Sequence, residues 1–80
     1  MNKTEYKVIE LLEDIGLSQI DHKDMKLIDD LGFDSLKLVL LLVMIEENFN
    51  VELDESDMDP YMLLTVEDVI RLVFKYVKEK

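Results

Sequence analysis

Leu31-Gly32-Phe33-Asp34-Ser35-Leu36 is the stretch on which the reading of this chain turns, because it sets a serine hydroxyl where a loop gives way to a long apolar helix. Gly32 is free to take a positive φ, Ser35 can cap the orphan N–H groups of the helix that follows, and Asp34 puts a carboxylate beside the hydroxyl. Nothing nearby in the sequence would activate Ser35 as a nucleophile. The chain has one histidine, His22, and no cysteine, so a Ser/His/Asp or Cys/His arrangement must use His22 or not exist. No catalytic residue is expected, and an external enzyme must act on Ser35, which reads as a place of attachment.

Downstream of the motif, residues 35–50 read as a helix. At about 100° per residue, Leu38, Leu41, Leu42, Ile45 and Phe49 fall on one side and should face a core. The other side holds Leu36, Val39, Leu40 and Val43, with Glu46 and Glu47 beyond them. A helix apolar on both sides is either sandwiched inside a protein or keeps one face for a partner. In so small a chain complete burial is hard to arrange, so Leu36, Val39, Leu40 and Val43 are expected to form an exposed docking strip beside Ser35. The competing reading has neighbouring loops cover Leu36 and Leu40.

Upstream, Val8, Leu11, Leu12 and Ile15 repeat at the spacing of one helix face over residues 4–15, with Asn2 or Thr4 as the cap and Gly16 as the stop. Residues 17–33 mix acidic and polar residues with isolated apolar ones. They form a long ordered loop whose pins should be Ile20, Leu27 and Leu31. His22 stands alone in that loop and reads as solvated. Beyond the second helix, Glu52, Asp54, Glu55, Asp57 and Asp59 are close together, but the central glycine of a calcium-binding EF-hand loop is missing, so no metal site is expected. A short helix over residues 56–62 is limited by Pro60. The last helix starts from Thr65 as cap, with Glu67 and Asp68 in its first turn and Val66, Val69, Ile70, Val73 and Val77 along its inner face. Lys75, Lys78 and Lys80 suit its C-terminal end, and Tyr61, Phe74 and Tyr76 read as core edges. The expected fold is all-α: one domain over residues 1–80, a small antiparallel four-helix bundle of three main helices plus a short third.

Composition narrows the partners. Nine basic against nineteen acidic residues give a net charge of −10, which repels nucleic acid and anionic membranes and favours partners with basic patches. The longest apolar run, residues 38–45, is well short of the ~20 residues a membrane-crossing helix needs. Met1-Asn2-Lys3-Thr4-Glu5 lacks the apolar core of a secretory signal, so a cytoplasmic monomer is expected. With no cysteine the chain owns no thiol. Any thioester chemistry needs a cofactor to bring the sulfur.

Gly32-Phe33-Asp34-Ser35-Leu36, an amphipathic helix ending Glu46-Glu47-Asn48-Phe49, and then Val51-Glu52-Leu53 resemble the acyl carrier protein family nearly end to end. The resemblance implies that Ser35 carries 4′-phosphopantetheine, derived from coenzyme A, as a phosphodiester. It implies too that Asp34 lies beside the metal and phosphate chemistry of the phosphopantetheinyl transferase that loads it. Acyl-loading and acyl-processing enzymes with basic or mixed apolar patches would dock on Leu36, Val39, Leu40, Val43, Glu46 and Glu47. The chain departs from fatty-acid-synthesis members just after the motif, where Lys37 and Leu40 stand in place of their acidic residues. Three readings therefore stay open: a carrier for fatty acid or polyketide-type synthesis, an aminoacyl or peptidyl carrier (D-alanyl included), and a helical interaction module in which Ser35 is only a helix cap.

Overall fold

The computed structural model describes residues 3–77. In chain order it contains helix α1 (Lys3–Gly16), helix α2 (Ser35–Phe49), two 3-10 turns (Glu55–Asp57 and Pro60–Met62) and helix α3 (Val66–Tyr76). Among the described residues there is no β-strand. The expected all-α architecture is present with three α-helices, and the short helix anticipated over residues 56–62 is replaced by the two turns. The reason is local: Asp54 accepts from the Ser56 N–H, Asp59 accepts from the Tyr61 N–H, and Pro60 opens the second turn. Two aspartate caps five residues apart leave no room for a continuous helix between them.

Each helix buries the stripe its sequence spacing marks. Val8, Leu11 and Leu12 of α1, Leu38, Leu41, Leu42 and Ile45 of α2, and Val66, Val69, Ile70 and Val73 of α3 form one core. Burying each of these aliphatic side chains contributes roughly 1.5–3 kcal/mol. Phe49 is only partly buried, and Lys7 explains part of that end: its Nζ donates to the Asn48 carbonyl at 2.7 Å and lies 5.0 Å from the Phe49 ring centroid. Helix α2 stops where Asn50 turns left-handed, φ +53°, and donates its N–H to the Glu46 carbonyl. Helix α3 starts in a full capping box. The Thr65 hydroxyl accepts from the Asp68 N–H, and the Asp68 carboxylate accepts from the Thr65 N–H at 3.0 Å.

Two expectations at the start and stop of α1 change. Asn2 lies outside the described residues, and Thr4 is buried inside the helix, so Thr4 is not its cap. Gly16 is the last helical residue, and the left-handed φ falls on Leu17 at +55°. What requires glycine at position 16 is packing: a Cβ there would sit 2.8 Å from Cε1 of Phe33, a ring only 2 % exposed.

The long loop is ordered by main-chain bonds as much as by apolar pins. Leu27 and Leu31 are buried and Ile20 is partly buried. The Leu27 N–H donates to the Leu64 carbonyl, the Val66 N–H to the Met25 carbonyl and the Glu67 N–H to the Lys23 carbonyl, each at 3.0 Å. These bonds stitch the loop to the start of α3. Within the loop, the Lys26 carbonyl accepts from Asp30 and Leu31, and the Phe33 N–H donates to the Leu27 carbonyl at 2.8 Å, folding residues 26–33 into a tight turn that ends at the motif.

Candidate functional site

The site is built outward from a turn held on both sides. Leu31 and Phe33 are buried, and between them Gly32 takes φ +72°, a left-handed conformation that glycine adopts without a Cβ penalty. The chain emerges from Phe33 fixed in direction, and α2 begins two residues later.

Here the structure corrects the expected cap. Asp34, not Ser35, is the N-cap of α2: its backbone is extended at φ −116°, and its Oδ1 accepts from the Lys37 N–H at 2.9 Å. Both residue types are favoured caps, so the sequence alone does not choose between them. Ser35 is thereby displaced to the first helical position, where it is exposed, and among the described residues its hydroxyl has no hydrogen-bond partner. A free hydroxyl at a helix N-terminus suits an anionic ester, because the unpaired N–H groups and the helix dipole there favour negative charge. The residues present fit a covalently attached phosphodiester.

On α2 the four residues opposite the core are all out in solvent: Leu36 is 76 % exposed, Val39 48 %, Leu40 45 % and Val43 41 %. Loops do not cover Leu36 or Leu40. Glu47 is exposed beside them, whereas Glu46 is half-buried and committed inward, its Oε2 accepting from the Leu53 N–H at 2.9 Å. Sequence reasoning missed one neighbour of this helix. The second 3-10 turn packs against α2 and brings exposed Tyr61 and Met62 next to it, so Tyr61 is not a core edge. The signal was there in Pro60, which could have placed the following residues on a turn at the surface. His22 is exposed in the loop, as its polar surroundings suggest.

A second polar cluster lies on the segment after α2. The Tyr76 hydroxyl donates to the Asp57 carboxylate and accepts from the Asp54 N–H at 2.9 Å, while Lys75 Nζ donates to both Asp57 oxygens at 2.8 and 3.1 Å. The hydrogen bond from Lys75, then that from Tyr76, hold the Asp57 carboxyl below its ordinary range. The same contact with Asp57 raises both Lys75 and Tyr76. Tyr76 thus packs against the edge of the core, as expected, while its hydroxyl works as a clasp.

Helices around one core, with Asp34 as the cap of α2 and the next serine's hydroxyl unengaged and exposed, leave that serine accessible to an external enzyme. The family described as "Phosphopantetheine attachment site" matches residues 7–73. Curated relatives are named acyl carrier protein. One from Solidesulfovibrio magneticus is 39 % identical over 71 residues, covering 86 % of this chain and 88 % of that protein. One from Desulforapulum autotrophicum is 38 % identical over 63 residues, 74 % and 79 %. One from Campylobacter jejuni is 42 % identical over 50 residues, and there the chain spans 62 % of the relative's length. The chain belongs to the phosphopantetheine-attachment family of acyl carrier domains, whose prosthetic group is covalently bound 4′-phosphopantetheine.

Proposed function

We propose that Ser35 carries the 4′-phosphopantetheine arm and that the domain holds acyl intermediates on it as thioesters, delivering them to partner enzymes of fatty acid or polyketide-type synthesis. The observation that carries this reading is the unengaged, exposed hydroxyl of Ser35 beside a cap supplied by Asp34. A serine that served only as a cap would be spending its oxygen on the backbone, which counts against the interaction-module reading. The arm brings the thiol that the chain lacks. Tethering then replaces diffusion of the intermediate by a high effective concentration at each partner's active site.

The partners in this reading are a phosphopantetheinyl transferase, for which Asp34 flanks the modified serine, and acyl-loading and acyl-processing enzymes. Leu36, Val39, Leu40 and Val43 form the docking face, Glu47 supplies an acidic edge, and Glu46 acts chiefly by positioning Leu53. A net charge of −10 favours partners with basic rims and disfavours nucleic acid and anionic membranes. No helix among the described residues is long and apolar enough to cross a membrane, and we place the carrier, as a monomer, in the cytoplasm, where coenzyme A donors and loading enzymes meet. A second reading, an aminoacyl or peptidyl carrier, including a D-alanyl one, is favoured by one observation: Lys37 and exposed Leu40 replace acidic residues at the start of the docking face.

Intact mass after incubation with coenzyme A and a broad-specificity transferase tests the attachment. The protein should gain one phosphopantetheine, and Ser35→Ala should gain none. No gain in the parent protein, or an undiminished gain in the alanine variant, overturns the reading. Intact mass of protein recovered from its native cells distinguishes acyl from aminoacyl cargo.

A further inference from the structure

An open cavity of about 360 Å³ lies where the loop meets the start of α3, lined by Lys26, Ile28, Asp29, Leu64 and Thr65. Its size falls at the lower end of ligand sites, ~300–1,000 Å³. The two aliphatic residues in it are set apart from the core that their neighbours join. Leu27 and Leu63 are buried, while Ile28 is 49 % and Leu64 61 % exposed. The hydrogen bond from the Leu27 N–H to the Leu64 carbonyl and the antiparallel bridge between Lys26 and Thr65 hold the two walls side by side.

The groove is also close to Ser35. The Phe33 N–H is 2.8 Å from the Leu27 carbonyl oxygen, one residue before Ile28 and two before Ser35 on the other side. Standard backbone lengths then put the Ile28 and Ser35 Cα atoms no more than about 16 Å apart. A phosphopantetheine arm has roughly the contour of five extended residues, ~17 Å, so even at that upper bound its thiol end reaches the groove, and at shorter separations more of the arm does, without any movement of the fold. A group tethered this way faces the groove at an effective concentration on the order of 1 mM, so an affinity of about 1 mM fills it half the time.

Resting on the assignment of Ser35 as the attachment point, we infer that the Ile28–Leu64 groove is the resting site of the arm, taking its β-alanine and cysteamine methylenes between the two aliphatic side chains. Lys26, Asp29 and Thr65, the polar residues of the lining, suit the amide groups of the arm, whose donors and acceptors need partners beside an apolar slot. The affinity of such a site is weak by design of the geometry: the cavity is open to solvent, so partner enzymes compete for the arm without unfolding the domain.

The test uses the loaded protein. Intact mass first establishes that one phosphopantetheine is present; if none is gained, the attachment reading itself is overturned. In the loaded protein, the methyl groups of Ile28 and Leu64 should show nuclear Overhauser contacts with the methylenes of the arm, and the amides of Ile28, Asp29, Leu64 and Thr65 should shift relative to the unloaded form. Leu64→Asp and Ile28→Asp change exposed side chains and should load fully, retain the fold by circular dichroism, and lose those contacts. A loaded protein whose shifts stay within residues 33–38, one whose arm contacts core residues such as Leu42 or Val69 instead, or a Leu64→Asp variant that keeps the contacts each overturns the groove assignment while leaving attachment at Ser35 intact.

Discussion

Gly16 and Gly32 bracket the loop that leads to Ser35, and each is needed for a different reason. At Gly32 the space is open, with nothing within 4 Å of an added Cβ, but φ is +72°. Gly32→Ala should therefore cost roughly 1–2 kcal/mol of strain, with Gly32→Asn milder, because asparagine tolerates the left-handed region. At Gly16 the backbone imposes no such demand, and alanine would gain about 1 kcal/mol of helix propensity in isolation. The 2.8 Å approach to the buried Phe33 ring outweighs it. Gly16→Ala should destabilise by about 1–3 kcal/mol, as overpacked cores do. Urea denaturation of the two variants checks both values, and a Gly16→Ala protein as stable as its parent would mean that Phe33 yields without cost. The residue scale is also where the sequence was least legible. Asp34 and Ser35 are equally good caps on paper, and only the path of the chain out of Phe33 decides which oxygen meets the Lys37 N–H.

The segment between α2 and α3 is held differently from the helices. No residue from 54 to 62 is buried; Leu53 and Leu63 fasten its ends, and the clasp of Asp57 with Lys75 and Tyr76 fastens its middle. Removing one partner should loosen the segment without unfolding the helices. In Asp57→Asn and Tyr76→Phe, amide hydrogen exchange should quicken over residues 54–62 while the amides of α1 keep their protection. The pH dependence follows from the shifts. Asp57 is lowered by its contacts with Lys75 and Tyr76, so its contribution is complete above the ordinary carboxylate value of 3.8 and is lost as pH falls through its lower folded value. Lys75 and Tyr76 are raised by Asp57, so their contributions are complete below 10.5 and 10.0 and are lost as pH rises through their higher folded values. Exchange in this segment should therefore be slowest between about pH 4 and pH 10, relative to the intrinsic rate at each pH, and quicken on both sides. An acid limb that survives unchanged in Asp57→Asn would show that another carboxylate controls it.

For the molecule as a whole, α2 divides into an inner face that holds the core and an exposed apolar outer face, the one proposed above for docking. Leu42 is 2 % exposed, and Leu42→Ala should cost about 2–5 kcal/mol in urea denaturation. Val39→Glu and Leu40→Glu alter exposed side chains and should change stability by no more than about 0.5 kcal/mol. If the outer face is the docking surface, these two variants should nevertheless be processed more slowly by acyl-loading enzymes after normal phosphopantetheine loading. Both faces were legible in the sequence because a helical period of 3.6 sorts side chains without knowledge of the neighbours. The capping box of α3 was legible for a similar reason, since its side chains announce it. The seam between the loop and α3 was not, because it is made of main-chain donors and acceptors that any residue supplies. The two turns after α2 were half legible: Pro60 limited a helix, but the competing caps Asp54 and Asp59 broke it.

That seam also sets an order of events during synthesis. The Leu27 N–H and the Met25 and Lys23 carbonyls find main-chain partners in residues 64–67, far along the chain from the loop. On a ribosome the serine emerges early, yet the turn that aims it, closed by its own bonds, is anchored to the rest of the fold only when the foot of the final helix has left the exit tunnel. A nascent chain halted before Thr65 should expose Ser35 while being a poor substrate for the loading enzyme, and should become a good one once α3 has formed.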